Sequence, residues 1–351
     1  MDSFPDDLLQ QCVWRLPTPD QAVARCVCRR FRDLFSAPIS FAVRARLHRL
    51  EPWLCVIGGV QEEKGELVAE MFDFRARRWR PMPAHPPTSN FNISCAVIGY
   101  NLCVVGGFVG LADYASKMPV YNLQTSTWKE ASQMQFSREA CGCGVIRNRI
   151  YVAGGFCRLR LHGKRLRSGE VYIPDKDLWC PIASMKERRS CCASAVVEDK
   201  LYIIGGYGTE SVLQSVEVYD PAEDSWVQRA SMPRIWFLAG CASIGSKIYV
   251  IGSDMNAMDA QELAVFDTKL DSWSFVGSIP FNELVMGSKC SLWGCSVTSI
   301  ADKLYVLGGA SSVDGGGLNS ALVYDSVTEQ WATMRQMHSS RHACGAVGIY
   351  C

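Results

Sequence analysis

The chain has 351 residues, 48% of them hydrophobic and 20% charged, with a formal net charge of +1. That balance gives the whole molecule no electrostatic pull toward nucleic acid or membrane, and neither is expected as a partner. There is no run of about 18 apolar residues and no hydrophobic leader at the N-terminus, so an intracellular protein, cytoplasmic or nuclear or both, is expected. The 17 cysteines are odd in number and contain no Cys-x-x-Cys pair, which argues against a disulfide framework or a zinc site. The charge is uneven: residues 1–50 hold eight Arg against five Asp, leaving the remainder at −2.

In chain order the first element is helical. Residues 4–17 read FPDDLLQQCVWRLP. Pro5 and the acids Asp6 and Asp7 suit the first turn of a helix, where a missing N–H costs nothing and the dipole favours negative charge. Leu8, Leu9, Cys12, Val13 and Leu16 form an apolar stripe at helical spacing, and Pro17 ends it. Thr18, Pro19 and Gln21 mark a second start as a capping box. Val23, Val27, Phe31, Leu34 and Phe35 then continue the helical spacing. A small helical bundle is expected over residues 1–46, joined by a short linker at 47–52, and the stretch from about Ala42 to Pro52 is arginine-rich and helical in pattern.

From Trp53 onward the pattern changes period. Six times an aromatic residue stands seven positions before a tryptophan: Phe72/Trp79, Tyr121/Trp128, Tyr172/Trp179, Tyr219/Trp226, Phe266/Trp273 and Tyr324/Trp331. Each pair follows a glycine step, at Gly58, Gly106, Gly154, Gly205, Gly252 and Gly308. A period near 50 with glycine and aromatic markers predicts a β-propeller, each repeat a four-stranded antiparallel meander. The first repeat opens at Trp53 with WLCVIGG and lacks a first strand, while residues 341–351, RHACGAVGIYC, read as a spare one. Strand 343–351 is therefore expected to complete the first blade of a 53–351 ring. Many cysteines recur at one repeat position (Cys95, Cys141, Cys143, Cys191, Cys192, Cys241, Cys295, Cys344), which suits a small apolar residue where blades converge.

These features resemble the kelch repeat: a hydrophobic run, Gly-Gly, then Tyr and Trp, with a methionine six residues on at Met134, Met185, Met232 and Met337. Residues 3–46 resemble the F-box, at Phe4-Pro5, Asp6-Asp7, Leu8-Leu9, Leu16-Pro17 and Val27-Cys28-Arg29-Arg30-Phe31. Phe4 stands where the family has Leu, and Phe31 where it has Trp. An F-box ahead of six kelch repeats is a family architecture, common in land plants. It implies an all-α adaptor-binding module followed by an all-β six-bladed propeller. It also implies the role of substrate receptor in a Skp–cullin–F-box ubiquitin ligase, with no catalysis of its own. The adaptor-binding residues would be Phe4, Pro5, Leu8, Leu9, Val13, Leu16, Pro17, Val27 and Cys28. Through the Skp-family adaptor the chain would reach a cullin.

The propeller would bind the target on the face bearing the loops between second and third strands. Candidate contacts there are Arg138, Arg188, Arg189, Arg234 and Arg341, beside Arg158 and Arg160 of the basic stretch FCRLRLHGKRLRSG. Such a surface suits an acidic or phosphorylated partner. The alternative is that these arginines pair with acids in neighbouring loops and fix loop shape, and that the basic stretch is simply solvated. Some kelch proteins are metal enzymes, but neither metal-ligand spacing nor a nucleophile motif occurs here, and no cofactor is expected. A scaffold acting outside any ligase is the other alternative.

Overall fold

A computed structural model of the chain describes residues 51–59, 69–82, 91–109, 113–114, 117–159, 162–254, 257–280, 290–311 and 316–350. The helical module expected over 1–46 lies outside these residues, as do residues 47–50 of the linker.

The described chain builds six four-stranded antiparallel sheets arranged as the blades of a propeller. The third blade shows the pattern: Gly142–Ile146, Arg149–Ala153, Gly169–Ile173 and Leu178–Ile182, paired in that order. Its second strand is buried along Ile150–Ala153, because neighbouring blades cover both faces of a mid-blade strand. The outermost strand alternates and leaves Leu178 exposed. Between blades lie six apolar layers, each drawing residues from two neighbours. One layer joins Tyr151 and Ala153 of the third blade to Leu201 and Ile203 of the fourth. The layer from Leu54 and Val56 to Tyr305 and Leu307 closes the circle. No blade has a covered core by itself, so stacking supplies it.

Closure runs through the two ends of the propeller. Gly345–Tyr350 pairs antiparallel with Pro52–Ile57, from Pro52 opposite Tyr350 to Ile57 opposite Gly345. The first blade is therefore ordered Gly345–Tyr350, Pro52–Ile57, Ala69–Asp73, Arg78–Pro81. This removes an open sheet edge at the seam.

The seven-residue spacing is a hairpin dimension. In all six blades the aromatic and the tryptophan are direct cross-strand partners. Their ring centroids lie 4.9–5.2 Å apart, in edge or tilted geometry. The indole N–H then reaches sideways. Trp79 donates to the Arg335 carbonyl at 2.7 Å, Trp179 to Ser132 at 2.9 Å, Trp226 to Ala183 at 2.8 Å and Trp273 to Ala230 at 2.9 Å. Each bond ties an outer hairpin to the preceding blade.

The fifth blade departs from the expected step. Lys247–Asp254 runs on through Gly252 and Ser253, which pair with Glu262 and Gln261 of Ala257–Asp267. Elsewhere both glycines of the step take positive φ, as at Gly154 (69°) and Gly155 (92°). Serine at the second place disfavours that conformation, and the strand continues instead.

Candidate partner-binding face

The loops between second and third strands and the loops entering first strands share one face of the ring. Three arginines at one repeat position organise it. Arg138 Nη2 meets Glu170 Oε1 at 2.8 Å, Arg189 Nη2 meets Glu217 Oε1 at 2.7 Å, and Arg341 Nη2 meets Glu70 Oε1 at 2.5 Å. All six side chains are 0–4% exposed. The second guanidinium nitrogen donates to the glycine step of the same blade: Arg138 to Gly154 O at 2.8 Å, Arg189 to Gly205 O at 3.0 Å, Arg341 to Gly58 O at 2.9 Å. Each glutamate also accepts backbone N–H groups of the incoming loop. Glu170 takes that of Gln135, Glu217 that of Lys186, and Glu70 that of His338.

The backbone carbonyl of each arginine docks on the blade before it. Gly155 N–H donates to Arg189 O at 2.8 Å, and Gly309 N–H to Arg341 O at 3.0 Å. A Cβ on Gly308 would sit 2.3 Å from Arg341 O, at a φ of +68°. Glycine is required there twice over, for its left-handed φ and for the close approach.

These contacts correct the expectation that Arg138, Arg189 and Arg341 touch a partner. Their charge is consumed inside the fold by Glu170, Glu217 and Glu70, and their guanidinium groups do not reach the surface. The acids stand on third strands, two residues before the repeat aromatic, rather than in neighbouring loops. The signal was present as Glu70, Glu170 and Glu217 at fixed offset from Phe72, Tyr172 and Tyr219. In the fifth blade Trp236 takes the arginine's place and its indole donates to Glu262 at 3.0 Å. Arg234 approaches the other oxygen of Glu262 at 2.5 Å while remaining half-exposed over the Phe275 ring.

Of the remaining candidates, Arg188 is exposed and its Nη1 donates to Arg165 O at 3.1 Å. Arg158 lies on the hairpin Phe156–Leu159/His162–Arg165, opposite Gly163. Its side chain, and all of Arg160, lie outside the described residues. That hairpin stands beside a cleft of about 510 Å³ between the third and fourth blades, walled by Arg167, Lys186 and Arg188 on one side and by the 208–213 loop on the other. Arg167 and Lys186 are exposed members of this site that sequence reasoning missed. They are neighbours only because two blades meet.

At the axis the face narrows to a hoop of backbone. Residues 92, 140, 191, 238, 294 and 343 hold the same place in the six blades, and all take left-handed φ. Their amides join neighbours: Cys191 to Ala140 O at 2.8 Å, Ala140 to Asn92 O at 2.8 Å, Asn92 to Ala343 O at 2.9 Å, Ala343 to Gly294 O at 2.7 Å. The hoop rims a small axial cavity of about 120 Å³. His342, at the rim, sits between the rings of Phe91 (5.5 Å) and Trp293 (5.9 Å), and burial lowers its pKa.

Chemistry needing a thiolate is disfavoured here. Burial pushes Cys103, Cys192 and Cys295 up to about 12, and Cys95 and Cys143 well above their usual value, so the thiols stay protonated. Among the described residues no group of three or more His, Cys, Asp or Glu is arranged to hold a metal. The nine residues expected to bind an adaptor, from Phe4 to Cys28, lie outside the described residues.

Comparison with known families agrees with this architecture. Residues 1–42 match the F-box domain, and residues 137–186, 188–233 and 294–338 match the Kelch motif. An F-box/kelch-repeat protein of Arabidopsis thaliana is 25% identical over 209 residues, covering 58% of this chain and 54% of that protein. A second from the same plant is 27% identical, covering 54% and 51%. The Kelch-like protein 35 of Mus musculus is 30% identical over 49% of this chain and 29% of its own. The chain spans about half the length of the Arabidopsis relatives it matches. An F-box joined to kelch motifs is an architecture typical of non-catalytic adaptor and protein-interaction proteins.

Proposed function

We propose that this chain, which unites an F-box with a kelch propeller, is the substrate-recognition subunit of a Skp–cullin–F-box ubiquitin ligase. The single observation that carries the reading is the joint match, F-box at 1–42 and kelch motifs beyond residue 137 on one chain. In this reading Phe4, Pro5, Leu8, Leu9, Val13, Leu16, Pro17, Val27 and Cys28 dock a Skp-family adaptor through an apolar helical face, and the adaptor brings the cullin. The propeller's loop face holds the target protein. Transfer chemistry belongs to other subunits. The rigidity of the propeller supports this division of labour, because a receptor must present its target at a fixed place, and buried ion pairs with a backbone hoop hold the loops.

The test is direct binding. Purified full chain mixed with a Skp-type adaptor should elute as one complex on gel filtration. Leu9→Ala with Leu16→Ala removes two apolar anchors of the kind that dominate interfaces, each worth about 1–3 kcal/mol. The double variant should elute apart from the adaptor. An undiminished complex would refute the assigned interface, and no complex with the parent chain would refute the adaptor role.

A further inference from the structure

The cleft between the third and fourth blades is where shape, charge and rigidity coincide on the loop face. Its volume of about 510 Å³ admits several side chains of a peptide rather than one small ion. Arg167, Lys186 and Arg188 are exposed along it. The bordering strand His162–Arg165 adds Lys164 and Arg165 and carries no acid. Three cations outnumber the two acids of the lining; one of those acids, Glu187, has its Oε2 held by Arg189 at 3.1 Å and by the Ser215 hydroxyl. Glu210 is the other acid of the lining, on the opposite wall.

The walls are held in place before any ligand arrives. Glu217 accepts the backbone N–H groups of Lys186 at 2.7 Å and Glu187 at 3.2 Å. The opposite loop is pinned by Gly208 N–H to Ser211 O and by Leu213 N–H to Gly206 O, each 2.8 Å. The Arg165 guanidinium lies 5.7 Å over the Tyr207 ring, while its backbone carbonyl receives Arg188. Walls whose backbone is already held lose little freedom on binding, and half-buried Leu213 adds apolar contact.

We propose that this cleft binds an acidic peptide segment of a partner protein, with two or more Asp or Glu carboxylates set against Arg167, Lys186 and Arg188. The proposal rests on the reading of the loop face as the partner-binding face, and names the chemical class of that partner. Carboxylates fit better than a single phosphate. One nitrogen of Arg188 already donates to Arg165 O, which limits its capacity to clamp a phosphate with both nitrogens.

The experiment uses the full chain and three fluorescein-labelled decapeptides: one rich in Asp and Glu, one with phosphoserines at the same positions, and one rich in Lys. Binding is read by fluorescence anisotropy at physiological salt. The acidic peptide should bind, and the Lys peptide should not. Reversing the cleft, Arg167→Glu with Lys186→Glu and Arg188→Glu, should weaken acidic binding about tenfold or more. All three side chains are exposed, so the fold is retained, and an unchanged melting temperature checks this. The matched control, Arg75→Glu with Arg149→Glu and Lys176→Glu, makes the same charge change at turns on the opposite face and should alter binding less than about twofold. The proposal is overturned if the parent chain ignores the acidic peptide, if both triple variants lose affinity equally, or if only the phosphopeptide binds. Neither adaptor nor cullin is present, so such a failure leaves the ligase reading intact. A failed adaptor complex would in turn leave the cleft result standing.

Discussion

Arg138, Arg189 and Arg341 carry charges that do not meet water, and their cost is borne only because each has a buried glutamate and carbonyl partners. Removing one partner strands the other. Arg189→Ala should therefore lower stability by about 3–5 kcal/mol, through the unpaired Glu217 rather than through lost contact alone. Arg189→Met with Glu217→Leu should recover much of that loss in denaturant titrations. A single variant that unfolds with the parent would show that the pair does not hold the loop. Asp177 and Asp224 make a second residue-scale case. The Ser132 N–H and Tyr172 hydroxyl hold Asp177 below the usual carboxylate range. The Ala183 N–H and Tyr219 hydroxyl do the same for Asp224. A depressed folded value means the stabilisation is fully present above the unfolded value of about 3.9 and is lost as pH falls from there through the folded value. Both carboxylates face solvent, so the effect is modest. Asp177→Asn with Asp224→Asn should lower stability slightly at pH 6 and flatten its fall below about pH 4. An acid limb as steep as the parent's would contradict this.

At the scale of elements, the hairpin and the closing strand were legible because they obey short rules. A fixed turn places each tryptophan seven positions after its cross-strand aromatic, so spacing alone predicts the contact. The missing strand before Trp53 and the spare one after Arg341 are visible side by side in the repeats, and Pro52–Ile57 pairs with Gly345–Tyr350. Ending the chain at Cys344 should expose the edge of Pro52–Ile57 together with Leu54 and Val56, which are otherwise fully buried. Aggregation or a large drop in melting temperature is expected by scanning calorimetry, and a parent-like melt would mean that the ring closes without this strand. The arginine–glutamate pairs were not legible in the same way. Their members are 28–32 residues apart for Arg189 and Arg138 and 271 apart for Arg341, across the seam. An arginine at the end of a polar loop reads as a surface residue until the blade folds around it. The fifth blade hid its difference in two residues, Ser253 for glycine and Trp236 for arginine, and only the structure shows that the strands lengthen there.

At the scale of the whole molecule, the proposed account makes one chain a bridge, with the F-box toward the ligase and the loop face toward a target. The ring form was readable from the repeats, but the cleft was not. Arg167 belongs to the third blade, Lys186 and Arg188 to the loop entering the fourth, and no local pattern says that they share a wall. The measurement that bears most directly on the account is capture of the full chain from native tissue under proteasome inhibition, scoring the captured partner for ubiquitin. The parent chain should retain a partner that carries ubiquitin. The Leu9→Ala, Leu16→Ala variant should retain the same partner without ubiquitin, because the propeller is intact and the ligase is not recruited. A partner modified equally in both captures, or unmodified in both, would contradict the account and leave the chain a protein-interaction scaffold.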